Sequence, residues 1–245
     1  IIACEAGHLP IVEELLQNDI NINYRPKLIS IKPALHIAMN KDFAIAEKLL
    51  EDPRTNRSIR NAYRNTLGEG LSLSIENFRK LLQYSDIVKG VNEGVLRGET
   101  TLIQAINGKR IEHFDELLQL PNIDVNAADK YIRHYSYNRG RTPLMHYVTS
   151  STTYCVLEKT DIHFVKGLLI HPDIKINIQN PDGYTALHWA AICDNEEAAR
   201  LLIQDSRIDI CLKTKHGETA KNKAANSGST KVYQLLDSLP DNCGN

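Results

Sequence analysis

The chain reads as an all-α fold: a solenoid-like stack of repeated helix-turn-helix units joined by hairpin-like arms. Three observations predict it. Leucine pairs recur at Leu15-Leu16, Leu49-Leu50, Leu81-Leu82, Leu117-Leu118, Leu168-Leu169, Leu201-Leu202 and Leu235-Leu236, at intervals of 34, 32, 36, 51, 33 and 34 residues. A single globular core has no reason to reset at near-constant intervals, whereas a stack of equal units does. Each pair ends an amphipathic stretch, such as "HLPIVEELLQ", "FAIAEKLLED", "HFDELLQL" or "EEAARLLIQ", with apolar residues at helical i, i+3, i+4 spacing. A polar break and then alternation follow the pairs, as in "NDININ", "PNIDVN", "PDIKIN" and "SRIDIC", which suits an extended arm. Turn signals come next, Asp182-Gly183 and His216-Gly217, then a Thr or Pro that opens a short helix.

Composition narrows the function classes. With 245 residues, 42% of them hydrophobic, and a formal charge of −1, the chain is an ordinary globular protein with no global positive field to draw in nucleic acid. No apolar run approaches the roughly 20 residues of a membrane span, and the start "IIACEAGHLP" lacks a signal peptide's cationic opening. No initiator Met is present, so residue 1 is expected to be a cut point in a longer protein. Cys4, Cys155, Cys193, Cys211 and Cys243 are odd in number and never form C-x-x-C, an expectation against a disulfide framework or zinc site and for a reducing, cytoplasmic compartment. No phosphate-binding loop, zinc-protease or nucleophile-elbow motif occurs, and no cofactor or metal is implied. The best catalytic set is Cys155 with His146 or His163 and Asp161. A nucleophile needs a base in reach and an oxyanion site, and the spacing secures neither, so the chain is read as not an enzyme.

Gly183-Tyr184-Thr185-Ala186-Leu187-His188-Trp189-Ala190-Ala191 resembles the opening of the ankyrin repeat. Weaker copies stand at Gly140-Arg141-Thr142-Pro143-Leu144, Pro33-Ala34-Leu35-His36, Gly98-Glu99-Thr100-Thr101-Leu102 and Gly217-Glu218-Thr219-Ala220, and "AGHLPIVEELL" carries the second half of the motif. The resemblance implies an ankyrin repeat domain over 1–240 of about six to seven repeats, with a tail at 241–245. It also implies a recognition scaffold, monomeric, that binds a protein partner through a concave face and its arms. The first repeat lacks its opening turn, so the array is expected to begin upstream. Residues 53–97 have no T-P-L-H and carry Gly68 and Gly70 where the first helix belongs, so this repeat is expected to be degenerate. Residues 214–239 are polar enough to cap the array. In two arms Pro-Asn-Ile and Pro-Asp-Ile replace the family's Gly-Ala, one residue longer, and an altered arm geometry is expected there. Such arms look similar to those of ankyrin effectors that intracellular bacteria deliver into host cytoplasm.

The 51-residue interval holds two insertions. Aligned with the next unit, eight extra residues fall between Asp129 and Gly140 and ten between Thr142 and Leu168. The first, "KYIRHYSYNR" (130–139), lengthens an arm with Tyr131, Arg133, Tyr135, Tyr137 and Arg139, residue types that anchor interfaces; these five are the predicted partner-binding residues. The alternative is tyrosines that only pack the arm. The second insertion, "TSSTTYCVLEK" (149–159), reads as a loop. A second candidate surface is "PRTNRSIRNAYRN" (53–65), where Arg54, Arg57, Arg60 and Arg64 would form a cationic stripe if helical, open to an acidic partner or phosphate. A solvated helix face competes with that reading. Alternatives to the interaction module are the recognition domain of a larger enzyme and nucleic-acid or phosphate binding through the Arg stripe, the latter opposed by the charge balance. His188, beside Trp189, is expected to be structural, reaching back to a Thr185 cap.

Overall fold

The computed structural model describes residues 1–24, 32–60, 64–94, 98–130, 139–149 and 162–240, together with Cys243. Its helices are α1 (Ile2–Ala6), α2 (Leu9–Leu16), α3 (Ala34–Lys41), α4 (Phe43–Glu51), α5 (Thr66–Gly70), α6 (Ile75–Leu82), α7 (Ser85–Val88), α8 (Thr101–Asn107), α9 (Ile111–Leu118), α10 (Pro143–Thr149), α11 (Ile162–Ile170), α12 (Ala186–Ile192), α13 (Glu196–Gln204), α14 (Ala220–Ser227) and α15 (Thr230–Asp237). Among the described residues there is no strand, only an isolated bridge between Arg60 and Asn65. The helices fall in two compact units, Ile1–Leu96 and Arg97–Asn245.

In the second unit the short helices α8, α10, α12 and α14 pack side by side as one layer, and α9, α11, α13 and α15 form the other. The leucine pairs explain the seam: Leu117, Leu168, Leu202 and Leu236 are all buried. Phe114 joins them, edge-on to Phe164 at 4.9 Å. Alanines at 186, 190 and 191 keep α12 slim enough to lie between its neighbours. The first unit repeats the plan with α1, α3 and α5 in one layer and α2 against α4 in the other.

In the first unit Gly70 has a packing reason. Gly70 ends α5, and a Cβ at that position would lie 2.7 Å from Leu81 Cδ1 and 3.1 Å from Phe78, both on α6. The helix penalty of glycine is offset by this close approach, which a Cβ would disturb by displacing Leu81 and Phe78. Beside it, buried Glu69 pairs with Lys32 Nζ at 3.0 Å and accepts from Asn40 Nδ2 at 3.1 Å.

The arms are coiled rather than extended. Ile123 N donates to Leu120 O and Ala127 N to Asp124 O, and the arm of residues 171–178 repeats both bonds. The alternation arises because Ile123 and Val125, like Ile174 and Ile176, point inward from successive turns. In three arms one asparagine then latches the next arm. Asn23 Nδ2 donates to Arg54 O at 2.7 Å while its Oδ1 accepts from Asn56 N at 2.7 Å. Asn126 spans Asp173 O and Lys175 N, and Asn177 spans Arg207 O and Asp209 N, in the same way. The amide replaces one donor–acceptor pair of a β ladder. The latch is kept from Asn126 onto the arm carrying Pro172-Asp173-Ile174.

Cysteine spacing misled: Cys211 and Cys243 form a disulfide, with Cα atoms 5.2 Å apart, and Cys193 is disulfide-bonded as well. They are 32 residues apart in sequence, but α14 and α15 turn back on themselves and return the chain to the arm where it started. Cys4 is a free, buried thiol.

Candidate functional site

Three turns at the arm tips of the second unit share one construction. Each starts with a buried polar residue: Asp129, Asn180 or Thr214. The backbone amide of that residue closes the turn, Asn180 N on Tyr184 O, Thr214 N on Glu218 O and Asp129 N on Arg141 O, each at 2.9 Å. Its side-chain oxygen collects two amides from inside the turn: Asp182 N and Tyr184 N for Asn180, His216 N and Glu218 N for Thr214, Gly140 N and Arg141 N for Asp129. Gly183 is required here. Its φ of +84° lies in the left-handed region, and a Cβ would meet Thr214 Cα at 2.8 Å.

The first insertion therefore sits inside a turn that still closes. Lys130 and Arg139 occupy the places of Pro181 and Asp182, and the eight residues between them are added without breaking the Asp129 bonds. Tyr131, Arg133, Tyr135 and Tyr137 lie outside the described residues, as do Cys155 and Asp161. Arg139 is described: its side chain is 54% exposed and lies 4.0 Å from Asp182 Oδ1. Lys215, 62% exposed, reaches the same oxygen at the same distance.

Behind the tips the site is rigid and polar groups are committed. Asp129 Oδ2 is 2.6 Å from His146 Nε2 with both side chains buried. Burial alone would raise the Asp129 pKa, but the His146 hydrogen bond and the Arg141 charge outweigh it and hold the carboxyl below its usual range. Burial pushes His146 down, against the pull of Asp129. An ionised carboxylate only accepts, so neutral His146 donates from Nε2. Arg141 lies over the Trp189 ring at 5.9 Å, and Tyr184 packs against Trp189 at 5.2 Å. Glu218 is held below the usual carboxylate range by the Lys223 hydrogen bond, with a further bond from Asn226.

His188 is structural. The Thr185 hydroxyl accepts from His188 N, and His188 Nδ1 accepts from Thr185 N at 3.2 Å, a reciprocal capping box. Nε2 then donates to Glu218 O of the next repeat at 3.1 Å. His36 makes the equivalent reach to Ile59 O at 3.1 Å. Desolvation, opposed by the Glu218 bond, lowers the His188 pKa and keeps the ring neutral.

The arginine segment is not helical over its described residues 53–60, so Arg54, Arg57 and Arg60 do not make a helix stripe; residues 53–58 run through turns. Arg54 caps the end of α2 through Leu16 O at 2.6 Å while gripping Asp52 at 2.7 Å, and Arg207 does the same with Leu169 O and Asp205. Arg57 bonds Leu50 O and lies over Tyr84; Arg64 bonds Gly68 O. Arg60 is half-exposed, 3.7 Å from Glu93. Of the catalytic candidates, His146 is taken by Asp129 and His163 by Asp115 at 2.6 Å. Among the described residues no group of acidic, His and Cys side chains is placed to hold a metal, and no helix is long and apolar enough to cross a membrane.

A family model described as ankyrin repeats (3 copies) matches residues 152–242, and one described as ankyrin repeats (many copies) matches residues 1–50, together more than half of the sequence. The chain belongs to the ankyrin repeat family. Among curated proteins, the human transient receptor potential cation channel subfamily A member 1 is 25% identical over 141 residues, 51% of this chain but only 12% of the channel. Among solved structures, the ankyrin repeat domain of Bcl-3, described as a unique member of the IkappaB family, superposes with a TM-score of 0.74 at 24% identity, covering 97% of this chain and 96% of that one. The ankyrin repeat protein EF0377 gives 0.64 at 21% identity, over 84% of this chain and 97% of that one. A chain from the complex of the Bdellovibrio bacteriovorus predatory endopeptidase Bd0816 with immunity protein Bd3460 gives 0.61 at 20%, over 85% of this chain and 99% of that one. Ankyrin arrays are in general protein-interaction modules, and their fold is typically non-catalytic. In this array, sequence reasoning read Asp182 and His216 as turn residues and Lys130 as the start of an insertion, and did not single out the charge they and Lys215 place at the tips. Aligning the turns as Asp129-Lys130 with Arg139-Gly140, Asn180-Pro181-Asp182-Gly183 and Thr214-Lys215-His216-Gly217 is the signal that finds them.

Proposed function

We propose that this ankyrin array binds a protein partner through its arm tips and the adjoining layer of short helices, with Tyr131, Arg133, Tyr135, Tyr137 and Arg139 as anchors. The observation that carries this reading is the Asp129 turn, which closes normally around eight added residues rich in tyrosine and arginine. A decorated segment on a preorganised base loses less conformational freedom on binding, and Tyr and Arg are the residues that most often dominate interfaces. Arg60 keeps exposed surface and serves as a secondary contact with Arg57 and Arg64, whose side chains also bond Leu50 O and Gly68 O. The module acts without catalysis of its own, within a cell, and the resemblance of its arms to bacterial effectors extends the reading to a host cytoplasm.

The test is affinity capture from cell lysate with the native chain beside a variant carrying Ala at the five anchors, both checked for helix content by circular dichroism. A partner held by the native chain and lost by the variant is the expected result. Equal capture by two well-folded proteins would refute the anchor assignment.

A further inference from the structure

The tip turns carry a charge imbalance that their own carboxylates do not neutralise. Position by position, the outward residues are Lys130 and Arg139 in the first turn, Asp182 in the second, Lys215 and His216 in the third; all but Asp182 are exposed. Asp129 is buried against His146, and Glu218 is engaged by Lys223 and Asn226. That leaves Asp182, 26% exposed, shared at 4.0 Å by Arg139 on one side and Lys215 on the other. Two cations at the limit of pairing distance on one oxygen each retain most of their capacity for a second acceptor. The positions are fixed, because Lys215 N donates to Asp182 O at 3.0 Å and Asn180 Nδ2 to Arg139 O at 3.2 Å.

We propose that these tip turns bind an acidic segment of a partner protein, whose carboxylates enter between Arg139, Lys215 and His216. The assignment rests on the interaction-module reading above and gives it a partner chemistry. Asp182 favours a peptide over a nucleic acid: a strand with a phosphate at every nucleotide must set one against this carboxylate, whereas a peptide can place a neutral or basic residue there. The guanidinium of Arg139 can hold a carboxylate through two donors, and Lys215 supplies a point charge beside it.

The test uses the full chain and a fluorescein-labelled twelve-residue peptide of Asp, Glu and Gly, read by fluorescence anisotropy at low salt, beside an amidated Asn/Gln peptide and a labelled oligouridylate. Binding of the acidic peptide alone is expected, weakened about tenfold by Lys215→Glu or Arg139→Glu, since a like charge at the contact repels the ligand. Asp182→Asn is expected to tighten it. Lys231→Glu on α15 changes the net charge by the same amount as Lys215→Glu and is expected to have little effect. No acidic-peptide binding, equal losses in Lys215→Glu and Lys231→Glu, or tighter binding of the oligouridylate would each overturn the proposal. A partner captured through the tyrosine segment but indifferent to Lys215→Glu would overturn it while leaving the interaction module standing.

Discussion

Replacing Cys243 by Ser removes the covalent link between the last arm and the tail. The bridged cysteines are separated by 32 residues, a loop that contains the whole of α14 and α15. Chain-entropy scaling for a loop of that length gives about 3.7 kcal/mol of lost stabilisation at 25 °C. The loss falls on the part of the array least able to absorb it, since the core residues of α14 and α15 are only Ala220, Ala224, Val232 and Leu236. In a stacked array stability is distributed unit by unit, so the effect is local. Amide hydrogen exchange of Cys243→Ser is expected to accelerate in α14 and α15 by up to about 500-fold, at about 1.4 kcal/mol per factor of ten. Exchange in α8 to α11 should stay unchanged. An unaltered rate in the last pair, or a uniform rise across the second unit, would refute the reasoning. In a reducing cytoplasm the bridge opens, and the last pair is then in its loosened state.

His188→Ala removes half of the Thr185 capping box and the bond to Glu218 O, and is expected to cost about 2–3 kcal/mol in urea unfolding without altering partner capture. Gly183→Ala forces a side chain into positive φ against the Thr214 backbone and is expected to cost about 2–4 kcal/mol, read as a lowered Tm. His146 and His188 have pKa values below that of an unfolded histidine, so the unfolded chain takes up protons first on acidification. Their contribution to stability is complete above about pH 6.5 and is lost as pH falls from there through the lower folded values; denaturant midpoints at pH 7.5 and 5.5 should fall in that order, and His188→Gln should flatten the dependence.

The parts of the fold that were legible are those written in local patterns. The leucine pairs located the long helices because burial against the neighbouring repeat demands them, and the Thr185 and His188 spacing announced a reciprocal cap. Both arise within about one helical turn or one interface. The arms were misjudged because Ile123 and Val125 can point inward from coiled turns as well as from an extended strand, and period-two alternation does not distinguish the two. Arg54 to Arg64 had helical spacing without a helix: Pro53 and the Asp52–Arg54 grip turn the chain instead. The Cys211–Cys243 pair is set by where a helical hairpin returns, which no spacing rule carries. The charge at the arm tips was hidden for a related reason, because Arg139 and Lys215 meet around Asp182 only when the repeats are laid side by side.

The Asp129 turn also makes the array a host for foreign sequence. Lys130 and Arg139 are an exit and an entry, held by the bonds that Asp129 makes to Gly140 and Arg141. Once such ends are clamped, lengthening the segment from eight to sixteen residues raises the closure cost by only about 0.6 kcal/mol. New recognition sequences can therefore be exchanged at this position while the layers beneath keep their packing, and the array's specificity is free to change faster than its architecture.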